Sequence, residues 1–314
     1  MDFFTHSVFG ALMYILFLKE VTFDYIFLAI FFSFLPDLDI FIMPLKRFFK
    51  SNYLEHRGGS HSYIIGIMMS AIISVIYSFL TQKSFFIAFI VGIVFYGLHV
   101  SLDLLTTTKI PCFYPISKRE YCFYIEKAGS SFTFLTSWIF LIINLLIYNI
   151  SPELFLFMMV INVYTYFTLF YYLYRILTKV WISLHLKENQ KYFPGVFPSY
   201  YIIFESEIVH NGISLHLEKK SHFSKSKLLY KNNVILNSDE MVLFEKGEKL
   251  RKDNYYFAKW TVLPIFFKNE MVFSIRFFFL EPMVKARGMY IQYDFSLLTH
   301  QLISFNRGSG RIQP

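Results

Sequence analysis

The sequence predicts a mainly α-helical membrane protein: a transmembrane bundle of about four to six spans, followed by a small antiparallel β module. Hydrophobic residues make up 55% of the 314 residues and only 17% are charged, below the roughly 25% of an ordinary soluble domain. Of the 52 charged residues, 30 lie in residues 183–314. After residue 200, long apolar runs give way to short alternating stretches typical of strands.

These differences divide the chain into a membrane-embedded helical domain at 1–182, a linker at 183–199 and a β-rich domain at 200–314. The net charge is +2 for residues 1–182 and +6 for the remainder. A modestly basic, water-exposed region suits contact with anionic lipid headgroups. The sequence contains no nucleic-acid-binding motif, so we expect membrane lipid as a partner and no nucleic acid.

Six apolar stretches approach the length of about 20 residues that a helix needs to cross a bilayer. They cover residues 5–18, 23–43, 62–80, 84–107, 132–150 and 154–181. The first is short, which leaves the number of spans open by one or two. Only a few residues separate the third stretch from the fourth, which predicts an antiparallel helical hairpin.

Basic residues concentrate in two of the connections. Eight lie in the loops after the second and fourth stretches: Lys46, Arg47, Lys50, Arg57, Lys109, Lys118, Arg119 and Lys127. The opposite side carries only Lys19 and Lys83. The positive-inside rule therefore predicts that the N-terminus, both long loops and the C-terminal domain are cytoplasmic.

The polar residues of the apolar region converge on that same face. They are His6, Asp37, Asp39, His56, His61, His99 and Asp103. On a helix, His99 and Asp103 lie on one side because they are four residues apart. An unpaired ionisable group within a span costs at least a few kcal/mol, and binding a cation removes that cost.

Imidazole and carboxylate side chains together suit zinc, manganese or iron. Gly58 and Gly59 allow unusual backbone dihedrals between the two loop histidines, and Pro36 breaks the helix where the carboxylates are needed. Taken singly, each polar residue has a simpler interpretation, as an interfacial or solvated histidine, a helix cap or a carboxylate paired with a cation. Taken together, they predict a divalent-metal site.

Four motifs occur in order along roughly residues 1–182. They are Thr5-His6 followed by Gly10, Leu-Pro-Asp-Leu-Asp at 35–39, His-Arg-Gly-Gly-Ser-His-Ser at 56–62, and His99-x-x-x-Asp103 followed by Leu-Leu-Thr-Thr. This set resembles the YdjM-type membrane-bound metal-dependent hydrolases of bacteria. The later Pro-Ile-Ser-Lys-Arg at 115–119 is similar to a segment often found there, whereas Ser60 replaces the family's usual threonine.

The resemblance implies a hydrolase of the bacterial inner membrane that uses a divalent metal, zinc first and manganese as the alternative. Its substrate would be a phosphoester or a lipid-linked molecule at the cytoplasmic face. The motif order is also distantly similar to zinc-dependent phospholipase C and P1-type nuclease. The chain has no second His-x-x-x-Asp/Glu pair downstream, so a full three-metal site of that kind is not expected.

Five residues are assigned as metal ligands: His6, Asp37, His61, His99 and Asp103. Asp39 and His56 are left as a ligand-orienting partner or a general base. Arg57 and Arg119 are candidates for binding an anionic substrate, with membrane anchoring as the alternative. Two other classes of function stay open: a metal-ion or proton transporter, and a non-catalytic scaffold stabilised by metal.

The C-terminal module is expected to be a small sheet or half-barrel that covers or docks something in the cytoplasm. Predicted strands cover 201–209, 212–217, 255–262, 271–280 and 289–295, with turns at Asn232-Asn233, Lys246-Gly247 and Arg287-Gly288. The Gly-Ser-Gly segment at 308–310 predicts a flexible tail. No catalytic pattern is visible in this module.

Overall fold

A computed structural model of the chain describes residues 3–18, 23–42, 44, 54–150, 154–209, 212–222, 225–284 and 286–312. The chain divides into two compact units, residues 1–177 and 178–314. The first unit is helical and the second contains the strands.

Each of the six predicted apolar stretches is helical over most of its described residues; Ser62, Ser84 and residues 105–107 lie outside the helices. The helices are α1 Phe3–Leu18, α2 Phe23–Phe34, a 3₁₀ turn Leu35–Leu38, α3 Asp39–Ile42, α4 Tyr63–Thr81, α5 Phe85–Leu104, α6 Ser131–Ile150 and α7 Leu154–Ser183. Among the described residues, three helical segments are long and apolar enough to cross a membrane: Asp24–Ile42, Tyr63–Thr81 and Phe85–Leu104. Phe3–Leu16 and Ser131–Ile147 are apolar but shorter. The predicted count of four to six spans is therefore not confirmed.

The hairpin of α4 and α5 is close-packed through small residues. A Cβ atom built on Gly92 would lie 2.7 Å from the Cβ of Ser70, and one on Gly66 would collide with the ring of Tyr96. Small residues let two helix backbones approach in an apolar environment. Because the hairpin is tight, the last turns of α5 lie beside the segment that precedes α4.

Helices α1 and α2 are also packed closely through small residues. A Cβ atom on Gly10 would collide with the side chain of Ser33. Between these helices and α5 lies the apolar core of the first unit, in which Tyr14, Phe32 and Val100 are almost fully buried. The core therefore fixes the start of α1 and the end of α2 against the end of α5.

Within its described residues, the second unit contains two four-stranded antiparallel sheets, each with strands in sequential order. The first sheet is formed by β1 Gln190–Pro194, β2 Tyr200–Val209, β3 Gly212–Ser221 and β4 Lys227–Ile235. The helices α8 Ser238–Asp253 and α9 Tyr255–Ala258 follow it. The second sheet is formed by β5 Val262–Lys268, β6 Val272–Phe279, β7 Arg287–Ser296 and β8 Leu302–Arg311.

Several expectations for this unit were wrong. The predicted linker 183–199 contains β1, an edge strand that ends at Pro194, where a missing N–H is tolerated. The predicted strand 255–262 begins as α9, and Asn232-Asn233 lies within β4. Lys246-Gly247 lies inside α8 and is not a turn. The glycine lets the helix approach the sheet, since a Cβ atom built on Gly247 would be 3.2 Å from the side chain of Ile275.

The 308–310 segment forms part of β8 and is not a tail. Gly308 pairs with Tyr290 of β7, and a Cβ on Gly308 would lie 2.6 Å from the Tyr290 hydroxyl. The aromatic side chain thus lies across its glycine partner, which compensates for the missing side chain in the strand.

Candidate metal centre

Four predicted ligands from three separate parts of the first unit meet in one place. Asp37 comes from the 3₁₀ turn, His61 from the loop before α4, and His99 and Asp103 from the end of α5. One ligand atom from each lies within 4.8 Å of all the others. The two histidines and Asp103 are buried. Four potential donors are therefore gathered in a space sheltered from water.

The separations between donor atoms match a bound ion. The Nε2 of His61 is 3.4 Å from Oδ1 of Asp37 and 3.3 Å from Oδ2 of Asp103. The Nε2 of His99 is 3.3 Å from the Nε2 of His61, and 3.8 and 3.9 Å from the same two carboxylate oxygens. Ligand atoms around a tetrahedral ion with bonds of zinc length lie about 3.3–3.6 Å apart. The donor set therefore fits a divalent metal.

The imidazole of His99 is oriented for ligation by a backbone carbonyl. Its Nδ1 donates to the oxygen of Ser33 at 2.6 Å, so in the neutral ring the Nε2 lone pair is free to bind a cation. The accepting carbonyl lies just before the change from α-helix to 3₁₀ turn at Leu35–Leu38. The break at Pro36 thus positions Asp37 and also leaves an acceptor for the ligand on the opposite helix.

The environment of His61 is strongly anionic. Burial lowers the pKa of this imidazole, but hydrogen bonds to Asp103, Asp37 and Asp39 outweigh burial and raise the pKa to about 10. Without a metal, the carboxylates therefore keep a proton on His61. A bound divalent cation would replace that positive charge, since metal binding requires the neutral ring.

His6 lies against the four-ligand cluster. Its ring stacks on that of His99 with centroids 3.8 Å apart, and its Nε2 is 3.3 Å from Oδ1 of Asp103. Its Nδ1 is buried and has no hydrogen-bond partner among the described residues. A buried polar atom without a partner is costly, so His6 fits either a further ligand or a group that braces Asp103.

Asp39 organises the loop that carries His61. Its carboxylate accepts hydrogen bonds from the Arg57 N–H at 2.8 Å and the Ser60 hydroxyl at 2.6 Å. Its other oxygen is 2.7 Å from Nδ1 of His56, a ring whose side chain is 29% exposed. Asp39 Oδ2 is also 3.4 Å from Nδ1 of His61. Of the two roles predicted for Asp39, the geometry favours that of an orienting partner.

The two predicted substrate-binding arginines occupy different surroundings. Arg57 is buried, and its Nε is 3.3 Å from Oδ2 of Asp103. It also takes the left-handed φ of 60° that the sequence suggested for Gly58 or Gly59. Arg119 is exposed and its guanidinium lies 5.4 Å from the centroid of the Tyr121 ring. The structure thus brings Arg57 to the cluster, and no described contact links Arg119 to it.

A buried ion pair that was not predicted from the sequence lies near the same end of α5. The Nη2 of Arg175 is 2.9 Å from Oε1 of Glu126, and the Tyr171 hydroxyl donates to the same carboxylate. The backbone N–H groups of Ile125 and Glu126 donate to the carbonyl of Leu105, just after α5 ends. The available signal was Arg175 itself, a cation within a long apolar stretch, where ionisable residues are rarely unpaired.

Fold and site together define a helical membrane protein whose His and Asp residues form a potential metal-binding cluster. A family model described as YdjM inner membrane protein matches residues 1–181. The chain therefore belongs to the YdjM family of inner membrane proteins. No curated protein and no solved structure matches it. The more distant similarity to phospholipase C and P1-type nuclease is not shown by these comparisons.

Proposed function

We propose that the chain is a membrane-bound, metal-dependent hydrolase that acts on a phosphoester or lipid-linked substrate at the cytoplasmic face. One observation carries the proposal: four potential ligands, three of them buried, meet within 4.8 Å of one another, with a fifth candidate ligand and an arginine in contact with Asp103. A structural zinc site needs four ligands and no more. The presence of His6 and Arg57 beside the four ligands therefore favours a catalytic site over a structural one.

The proposed roles follow from the contacts. Asp37, His61, His99 and Asp103 hold the ion, zinc first and manganese as the alternative, with His6 as a further ligand or brace for Asp103. When bound, a divalent ion lowers the pKa of water toward neutrality and polarises the carbonyl or phosphoryl oxygen of an ester.

The half-buried His56 is the proposed proton carrier. It is close to Asp39, which would fix the orientation of its ring, and its partial exposure lets it exchange protons with water. Arg57 is the proposed anion-binding group, because its guanidinium is already at the edge of the cluster. Arg119 would act farther out, at the membrane surface, as an anchor or a first contact for an anionic substrate.

The cytoplasmic orientation is inferred from the basic loops. Eight basic residues lie in the two long connections that flank the ligands and two lie on the opposite side, a bias that favours a cytoplasmic location for the long connections. With an even number of spans, the C-terminal module would be cytoplasmic too.

Two other functions are weighed against this proposal. In many secondary transporters, substrate and coupling-ion sites lie near the bilayer midplane, whereas His99 and Asp103 occupy the last turns of α5 and His61 precedes α4. A metal-stabilised scaffold is favoured by the burial of the ligands, and only activity separates it from the enzyme.

The deciding experiment uses the full chain purified in detergent. Bound metal per chain would be measured by mass spectrometry for the parent, His99→Ala and His185→Ala, the last being an exposed histidine of the second unit. We expect one or more ions in the parent and in His185→Ala and none in His99→Ala. Hydrolysis of a panel of phosphoesters and carboxylic esters should follow the same order. Absence of metal after supplementation, or metal without any turnover, would reject the hydrolase.

A further inference from the structure

A second feature of the first unit is an apolar cavity of about 310 Å³ next to the metal centre. It lies between the 3₁₀ turn with α3 on one side and the start of α4 on the other. Its apolar wall includes Leu35, Leu38, Ile42, Leu54, Ile65 and Met69. This volume is at the lower end of the range of about 300–1,000 Å³ found for small-molecule sites.

The cavity has one charged group in its lining, and that group belongs to the site. Asp39 and Ser60 line it, and they bond to each other at 2.6 Å. Both also contact Nδ1 of His61, at 3.4 and 3.1 Å. Tyr96, also in the lining, donates its hydroxyl to the Ser60 carbonyl at 2.5 Å. A ligand in this cavity would therefore have its polar end beside a metal ligand and its remaining length among aliphatic side chains.

The cavity lies between two helical segments of membrane-spanning length. Both walls belong to segments long and apolar enough to span a bilayer, Asp24–Ile42 and Tyr63–Thr81. Their outer surfaces expose large apolar side chains, including Phe41 at 77% and Met68 at 55%. Lipid chains would cover such surfaces in a bilayer, so a hydrocarbon chain would be the molecule most abundant around this cavity.

We propose that this cavity holds one hydrocarbon chain of a lipid substrate, with the bond to be cleaved at the Asp39–Ser60 end. The volume suits a single chain, and away from the Asp39–Ser60 end the wall is mainly aliphatic, with Tyr96 and Tyr114 as its aromatic members, so it favours an apolar occupant. The reaction part of this inference rests on the proposed hydrolase, whereas chain binding does not. The cavity would thereby select lipid-linked over water-soluble esters, and its depth would set the chain length accepted.

The test uses the full chain in lipid nanodiscs and a decyl phosphate probe with a terminal diazirine. After photolysis, labelled positions would be mapped by mass spectrometry. We expect saturable labelling at Ile42 and Ile65, removed by excess unlabelled decyl phosphate. Labelling of the outward-facing Met68 should rise linearly with the concentration of the probe, because this residue would contact bulk lipid. Linear labelling throughout would overturn the proposal.

A matched pair of variants on α4 sharpens the result. Met69→Trp fills the cavity, whereas Met68→Trp adds the same bulk to the exposed face one residue away. Saturable labelling should fall about tenfold in Met69→Trp, because the indole would occupy the volume that the probe needs, and it should persist in Met68→Trp. Equal labelling in the two variants would contradict the cavity assignment. If Met69→Trp does not fold, the saturation test on the parent still decides.

The outcome separates this inference from the proposed function because the probe reports binding without turnover. Saturable labelling in a protein that hydrolyses nothing would support the chain site and reject the enzyme. Hydrolysis of soluble phosphoesters without saturable labelling would support the enzyme and reject the chain site. Competition by geranyl phosphate against decyl phosphate would then tell whether a branched isoprenoid or a linear acyl chain fits better.

Discussion

At the scale of single residues, the structure separates groups that face the potential ion from groups that orient them. The Nε2 atoms of His61 and His99 face the ligand cluster, while each Nδ1 meets an orienting oxygen, from Asp39 for one ring and from the Ser33 carbonyl for the other. Such outer partners fix the tautomer and the ring plane of a ligating histidine. The site therefore depends on residues that never touch the metal.

This dependence predicts the effect of Asp39→Asn. The amide keeps the shape of the carboxylate, but its NH2 group cannot accept a hydrogen bond. It would face one of the present partners of Asp39, which are the backbone N–H of Arg57, the Ser60 hydroxyl and Nδ1 of His56, and that hydrogen bond would be lost. Loss of an outer partner typically weakens metal binding about 10–100-fold. A chelator competition titration would measure the change, with the exposed Asp24→Asn as the control. Equal affinities in the two variants would show that Asp39 does not orient the ligands.

Another residue-scale prediction concerns acid sensitivity in the second unit. Burial raises the pKa of Glu240, but hydrogen bonds from Lys268 and from the backbone of Asn237 outweigh it, so the pKa is lowered on folding. A lowered carboxyl pKa contributes stability above the unfolded value, about 4.3 for glutamate, and this stability is lost as the pH falls through the folded value.

Glu240 also completes a capping box with Asn237 at the start of α8. The protection of the first turn of α8 against hydrogen exchange, expressed relative to the intrinsic exchange rate at each pH, should therefore fall as the pH drops below about 4.3 and through the lowered pKa of Glu240. The fall in protection should be smaller in Glu240→Gln, which cannot lose a charge. The same fall in both proteins would show that another group controls this turn.

At the scale of secondary-structure elements, helix packing determines whether the ligands can meet. The tight contact of α4 and α5 brings the end of α5 beside the loop before α4, which is where His99, Asp103 and His61 lie. Thr106 ends α5 by donating to the Asp103 carbonyl at 2.8 Å, and Ser62 begins α4 by accepting from the N–H of Ile64. The caps place the ligands at helix ends.

Two glycines of α5 provide a direct test of this packing. Gly92→Ala would place its Cβ 2.7 Å from Ser70, whereas Gly97→Ala meets nothing closer than 4.0 Å. Overpacking should destabilise the first by roughly 1–3 kcal/mol, and alanine should leave the second unchanged or more stable by up to about 1 kcal/mol. Thermal unfolding in detergent would measure both. Similar melting temperatures for the two variants would argue against a tight helix contact.

At the scale of the whole molecule, the sequence predicted the helical part and the meeting of its polar residues better than the β module. Lys83 and Asp103 are the two charged residues between Ser62 and Thr106. Because an ionisable residue is costly within a span, Asp103 could be recognised from the sequence as a candidate site residue. In the second unit the polar helix α8 was overlooked, although Asn237 and Glu240 have the spacing of a capping box.

What could not be predicted depends on contacts between distant residues. The acceptor for His99 is a backbone carbonyl, that of Ser33, which has no sequence signature. Arg57 has a left-handed φ although two glycines follow it, and its N–H is held by Asp39. Gly308 lies in a strand because Tyr290 lies across it. In each case the tertiary partner, not the local propensity, decides the conformation.

The Glu126–Arg175 ion pair joins α7 to the segment before α6. The backbone of that segment donates hydrogen bonds to the Leu105 carbonyl, just after α5 ends. Arg175→Met should be strongly destabilising, by about 3–5 kcal/mol, because it leaves Glu126 buried without its cation. Adding Glu126→Gln should restore much of the loss, since that cost comes from the stranded charge. Lys118→Met, at an exposed site, serves as the control for removing a basic residue.

Unfolding temperature and metal content, measured on the same samples, then distinguish two roles for the pair. If Arg175→Met loses both stability and metal while the double variant regains both, the pair supports the site through the end of α5. If stability recovers but metal does not, the ion pair itself positions Asp103. A single variant as stable as the parent would mean that water reaches Glu126, and the attachment of α7 would then rest on its aromatic contacts, such as the stacking of Phe132 on Tyr171.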